Sequence, residues 1–95
     1  MAVAIQGVWP GFTAEQYDQL RDVVGWEREV PPGLILHVAS FSPERAHIFD
    51  VWESEEAAQR FFEDRLMPGA QQVGIPGAPE GQFYPVHALF TPAGL

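Results

Sequence analysis

Three side chains in the stretch Leu34 to Ser54, LILHVASFSPERAHIFDVWES, have chemistry to offer: His37, Asp50 and Trp52. An imidazole beside a carboxylate makes an oriented general base, because the carboxylate fixes the tautomer and the other nitrogen can take a proton near neutral pH. An indole presents a flat apolar face for stacking and one N–H that can bond an oxygen on a planar ring. Whether the three meet depends on the strands that carry them. Apolar residues alternate on both sides of Ser42-Pro43-Glu44-Arg45, which reads as a hairpin, and a symmetric turn about Pro43-Glu44 pairs Phe41 with Ala46. His37 then stands opposite Asp50, Ala39 opposite Ile48 and Ile35 opposite Trp52, all on one face, while Leu34, Leu36, Val38, Phe49 and Val51 take the other. A one-residue bulge would undo this pairing. Plain packing also accounts for these residues, since a half-buried histidine needs a polar partner and a tryptophan suits any small core.

The remaining reactive residues are less well placed. His87 lies on a last strand and serves as a second candidate acid or base, but Pro85 leaves its face undecided. His47 falls near the hairpin turn on the opposite face, at a rim or an interface. Tyr84 and Tyr17 are possible hydroxyl donors on apolar stripes that already explain them. Metal binding is not expected: His37 and His47 point to opposite faces, the chain has no cysteine, and no paired-histidine helix spacing occurs. Ser40, Ser42 and Ser54 lack the glycines of a nucleophile elbow, and Ser54 reads as a helix cap. The Gly74 to Gly81 loop has prolines in place of N–H donors and no basic residue after it, so it reads as a loop flanking a cavity rather than a phosphate cradle.

The elements that must position these groups follow from pattern. Ala2 to Trp9 reads as a strand closed by Pro10-Gly11. Thr13-Ala14-Glu15-Gln16 is a capping box opening a helix whose stripe is Tyr17, Leu20 and Val24 and whose stop is Gly25. After the hairpin, Ser54-Glu55-Glu56 caps a second helix with Ala57, Ala58, Phe61, Phe62 and Leu66 on its buried stripe. Pro68 should break or kink that helix, with a further turn through Val73. Gln82 to Phe90 reads as a last strand, and Pro85 makes it an edge strand or a bulged one. The order β-α-β-β-α-β predicts an α+β, ferredoxin-like fold: a four-stranded antiparallel sheet with two helices on one face. Both faces of the central hairpin are apolar, so the uncovered face calls for a second copy, giving a homodimer with its sheets face to face.

Composition narrows the rest. The 95 residues form one domain, 1–95. A net charge of -8, with five arginines and no lysine, argues against nucleic acid and anionic membranes as partners. Neither a leader pattern nor a membrane-length apolar run is found, and no cysteine hints at an oxidising compartment, so a cytoplasmic location is the expectation.

With this element order and the segment HIFDVWESEEAAQRFF, a strand ending in Trp52 followed by Ser-Glu-Glu and an amphipathic helix, the chain resembles the dimeric α/β-barrel superfamily and, within it, the antibiotic-biosynthesis-monooxygenase branch. The branch includes cofactor-free oxygenases of aromatic polyketides, polyketide cyclases, isomerases and haem-degrading enzymes. The resemblance implies that Trp52 lines a pocket between sheet and helices. It also implies that Ile35, His37, Ile48 and Asp50 share that side, with the opposite face meeting the partner. The haem-degrading members carry a helix histidine where Phe62 stands and an asparagine near Gln6, so no haem, and no other cofactor, is expected. The resulting expectation is a cofactor-independent oxygenase-like or cyclase-like enzyme acting on a small hydrophobic or aromatic molecule. In it His37, oriented by Asp50, is the base; His87 is a second candidate; and Trp52, Ile35, Phe41, Ile48, Phe61, Phe62 and Tyr84 bind substrate. A dimeric binding protein without catalysis is the alternative.

Overall fold

A computed structural model describes residues 1–92. The strands are β1 (Val3–Pro10), β2 (Leu34–Ser42), β3 (Arg45–Trp52) and β4 (Glu80–Pro85). The helices are α1 (Ala14–Val24), α2 (Glu55–Phe61) and α3 (Met67–Val73), the last two joined by a π-helical turn over Phe62–Leu66. The sheet order is β2-β3-β1-β4, with every neighbouring pair antiparallel. This is the ferredoxin-like arrangement expected from the element order, with the helices on one face.

Local chemistry sets the helix ends. Thr13 and Gln16 form both bonds of the capping box, and Gly25, at φ 72°, ends α1 with its N–H on the Arg21 carbonyl. The Ser54 hydroxyl accepts the Ala57 N–H at the start of α2. Pro68 does not break the second helical run. An α-helix cannot accept a proline there, because the ring removes a donor and crowds the preceding turn. The chain widens first: Met67 donates to the Phe62 carbonyl five residues back, and Pro68 then sits in the first turn of α3. Gly69 brings α3 against α1 so closely that a Cβ there would stand 2.5 Å from Val24 Cγ2.

The hairpin pairs His37 with Asp50, Ala39 with Ile48 and Phe41 with Ala46, as the symmetric turn predicts. Beyond His37 the prediction fails. A bulge between Leu34 and Leu36 puts Leu34, not Ile35, opposite Trp52, and the surplus residue Ile35 is left 44% exposed. The last strand is also shorter than expected. It ends at Pro85, which has no N–H to continue the ladder, and Val86 makes one further bond to the Ala2 carbonyl. His87, Leu89 and Phe90 therefore follow the sheet rather than belong to it.

Two apolar clusters fill the space between sheet and helices. One is built on Trp9, Phe12, Leu20, Trp26, Ala46, Ala70 and Ile75; the other on Ile5, Trp52 and Ala58. Trp9 ties the first to the loop before β4 by donating its indole N–H to the Pro76 carbonyl at 3.1 Å. On the uncovered face Val38, Phe49 and Tyr84 remain largely in solvent.

Candidate functional site

Because β2 and β3 hold His37 and Asp50 in register, the two side chains meet: His37 Nδ1 is 2.6 Å from Asp50 Oδ1. The other carboxylate oxygen, Oδ2, accepts the Trp52 indole N–H at 3.2 Å. An ionised carboxylate only accepts, so Nδ1 carries the hydrogen and, in the neutral ring, Nε2 is an acceptor. That acceptor faces α1, where the Tyr17 hydroxyl lies 2.8 Å away and donates to it. The result is a continuous chain, Tyr17 to His37 to Asp50 to Trp52, linking helix to sheet. Asp50 is 5% exposed, and among the described residues no buried side-chain polar atom lacks a partner. Burial pushes the Tyr17 phenol above its ordinary range, the nearby Glu27 charge adds to this, and Arg21 opposes it.

This chain borders a cavity of about 210 Å³ between the sheet and the helices. Its floor includes Ile5, Ile48 and Phe83, and its roof includes Leu20, Phe61, Phe62 and Leu66. Trp52 forms one wall, packed by Phe61 and Phe62 at centroid distances of 5.5 and 6.4 Å. Tyr17 and His37 lie parallel within 8°, with Trp26 set edge-on against both. Gly7 and Gly81 face each other across β1 and β4 and both border the cavity; the strands approach so closely there that a Cβ on Gly7 would stand 3.0 Å from the Glu80 carbonyl oxygen.

Of the residues singled out in the sequence, His37, Asp50, Trp52, Ile48, Phe61 and Phe62 border this cavity together. Four do not. Ile35 is displaced by the bulge, and Leu34 takes its place. Phe41 is 38% exposed and packs edge-on behind Tyr17 and Phe12, outside the cavity. Tyr84 points to the uncovered face, where its hydroxyl donates to Gln82 Oε1. His87 lies exposed in a bend beyond β4, away from the lining. His47 is on the uncovered side near the turn, bonded to the Ser42 hydroxyl at 3.0 Å. Among the described residues no three His, Cys, Asp or Glu side chains form a group that could hold a metal ion.

Sequence reasoning underrated Tyr17, which it assigned to packing. The signal was its place on the helix stripe that covers the strand bearing His37. Trp9, Phe12 and Trp26 were missed as cavity residues because they stand in or next to turns, where periodicity says nothing of burial.

No protein-family model and no curated protein matches the chain. Solved structures do. A Nitrosomonas europaea protein of unknown function aligns over 98% of this chain and 96% of its own, at 18% identity and a TM-score of 0.72. A variant of SnoaB, a cofactor-independent oxygenase from Streptomyces nogalater, aligns over 93% of this chain and 95% of its own, at 14% identity and a TM-score of 0.66. The ActVA-Orf6 monooxygenase of Streptomyces coelicolor, in complex with nanaomycin D, aligns over 97% of this chain and 92% of its own, at 24% identity and a TM-score of 0.59. At these identities the likeness is one of architecture. The chain has the ferredoxin-like fold of antibiotic biosynthesis monooxygenase-like proteins.

Proposed function

We propose that this protein is a cofactor-independent monooxygenase-type enzyme acting on a small aromatic compound in the cavity between sheet and helices. The observation that carries the reading is the Tyr17–His37–Asp50–Trp52 chain, which supplies an oriented base at the edge of an otherwise apolar hollow. The substrate's hydroxyl or activated ring C–H gives its proton to His37, through the Tyr17 hydroxyl or after displacing it, and Asp50 stabilises the imidazolium. The electron-rich anion then reduces dioxygen. A ring CH2 becomes C=O: one oxygen atom enters the product, the other leaves as water with both hydrogens, and all four electrons come from the two C–H bonds. One positioned base supplies about 100- to 10,000-fold of such a reaction. Support by analogy comes from SnoaB, a cofactor-independent oxygenase, and from ActVA-Orf6, a monooxygenase with a bound small molecule.

The test is oxygen uptake with a panel of one- to three-ring anthrones and hydroquinones. The wild type should exceed the buffer rate by about 100-fold or more, and His37→Ala and Asp50→Asn should lose most of that. Rates equal to buffer for all three proteins sink the proposal.

A second reading, a binding protein without turnover, is favoured by one observation: Nε2 of His37 is already occupied by Tyr17. It predicts ligand-dependent thermal stabilisation with no oxygen consumed. In either reading the assembly is a homodimer, because one face of the sheet leaves Val38, Phe49 and Tyr84 without cover.

A further inference from the structure

We infer that the cavity selects an uncharged aromatic molecule of two or more fused rings that donates a hydroxyl hydrogen, and rejects the same ring system when it carries a carboxylate. The inference rests on the cavity's being a small-molecule site, as proposed above. Three independent observations lead to it.

The first is charge. The ionisable side chains bordering the cavity are Tyr17, His37, Asp50 and Glu80. The chain has no lysine, and none of its five arginines is among them. Two of the arginines nearest the helical roof are engaged elsewhere. Arg65 donates to the Val24 and Glu29 carbonyls with its guanidinium 5.4 Å from the Phe61 ring, and Arg60 pairs with Glu56. An anionic ligand would give up its water without meeting a fixed cation, and would enter beside the Asp50 carboxylate. A neutral ligand avoids both costs.

The second is the sense of the hydrogen bonds. Tyr17 donates its hydrogen to His37, His37 donates from Nδ1 to Asp50, and Trp52 donates its N–H to Asp50. Every hydrogen of the chain is engaged, and what remains at the Tyr17 oxygen is its capacity to accept. A ligand O–H is served by this arrangement. A methoxy group or a carbonyl in the same place is not, and it leaves the Tyr17 oxygen without a donor.

The third is size. An apolar cavity of about 150 Å³ holds one benzene ring. The 210 Å³ found here extends that by about the volume of a second fused ring, and because the cavity is open on one side this sets a lower size for the ligand and not an upper one.

Calorimetric titration of the wild-type protein at neutral pH with 1-naphthol, 1-methoxynaphthalene, 1-naphthoate and phenol tests all three. Naphthol should bind best, with each of the others weaker by about tenfold or more, a difference well resolved in Kd. NMR cross-peaks between naphthol and the Ile5 and Ile48 methyl groups should place it in the cavity. Naphthoate, methoxynaphthalene or phenol binding as tightly as naphthol overturns the inference, as does naphthol bound without those cross-peaks or no saturable binding at all. The outcome separates from that of the oxygenase proposal. The expected ranking without oxygen uptake leaves the selectivity standing and removes the enzyme, whereas oxygen uptake with naphthoate bound as tightly as naphthol does the reverse.

Discussion

Tyr17 and His37 are joined across the helix–sheet boundary by a 2.8 Å hydrogen bond, with their rings parallel within 8°. The same imidazole holds Asp50 at 2.6 Å through its other nitrogen, so one ring couples a helix phenol to a buried strand carboxylate. Stability and titration both depend on this arrangement.

Asp50 satisfies two donors at once, His37 Nδ1 and Trp52 Nε1, while nearly buried. Asp50→Ala should therefore destabilise the fold by about 3 kcal/mol, chiefly by leaving both N–H groups without an acceptor. Asp50→Asn keeps one carbonyl oxygen and should cost less. Urea unfolding at neutral pH measures both, and an Ala variant as stable as wild type would mean that the chain does not form.

The Tyr17 phenol is raised above its ordinary value of 10.0 by burial first and by Glu27 next. The folded state thus keeps a proton that the unfolded chain releases sooner, so the stabilisation is complete below the unfolded value and is lost as pH rises through the folded one. Unfolding free energy should fall as the pH climbs above about 10, and it should fall less steeply in Tyr17→Phe. Subtracting the Phe variant's phenolate absorbance titration from that of wild type should show Tyr17 ionising above the usual phenol range.

The bulge in β2 separates two neighbouring aliphatic residues. Leu34 borders the cavity opposite Trp52, and Ile35 is 44% exposed. Leu34→Ala should cost about 2 kcal/mol and alter binding of any aromatic ligand, whereas Ile35→Ala should cost under about 1 kcal/mol and leave binding unchanged. A larger effect at Ile35 than at Leu34 would show that the strand is regular.

Phe49 projects from the uncovered face with Val38 beside it as its cross-strand partner. Sedimentation velocity should find the wild type as a dimer and Phe49→Asp as a monomer that keeps its circular dichroism spectrum, since the substitution puts a charge where, in the proposed dimer, a second sheet would pack. A monomeric wild type would remove the face-to-face assembly.

Much of this architecture was legible before any coordinates. Capping at Thr13 and Ser54, alternation through the hairpin and the symmetric turn about Pro43-Glu44 were enough to bring His37 to Asp50, because each is a local rule with one outcome. What was not legible depended on irregularity. Nothing in Leu34-Ile35-Leu36 marks which of three aliphatic residues is surplus, so the bulge, and with it the side on which Leu34 lies, cannot be read from pattern. Pro85 marked β4 as either an edge strand or a bulged one, and β4 lies at the edge, yet the proline ended the strand outright and left His87 beyond it. The partnership of Tyr17 with His37 depends on how α1 lies over the sheet, and helix periodicity fixes only which stripe faces inward.

The wide turn at Phe62–Leu66 also acts as a phase adjuster between two docking events. At its start, Phe61 just before the turn and Phe62, its first residue, both lay their rings against one indole; downstream, Gly69 must arrive facing α1 with almost no clearance. A regular helix advances by about 100° per residue and could not retime the second event without disturbing the first. Closing that turn into a regular helix with every residue kept would swing Gly69 and Ala70 by about 100° away from α1 while leaving the Trp52 contacts in place, dividing the roof of the cavity into a seated half and a loose one.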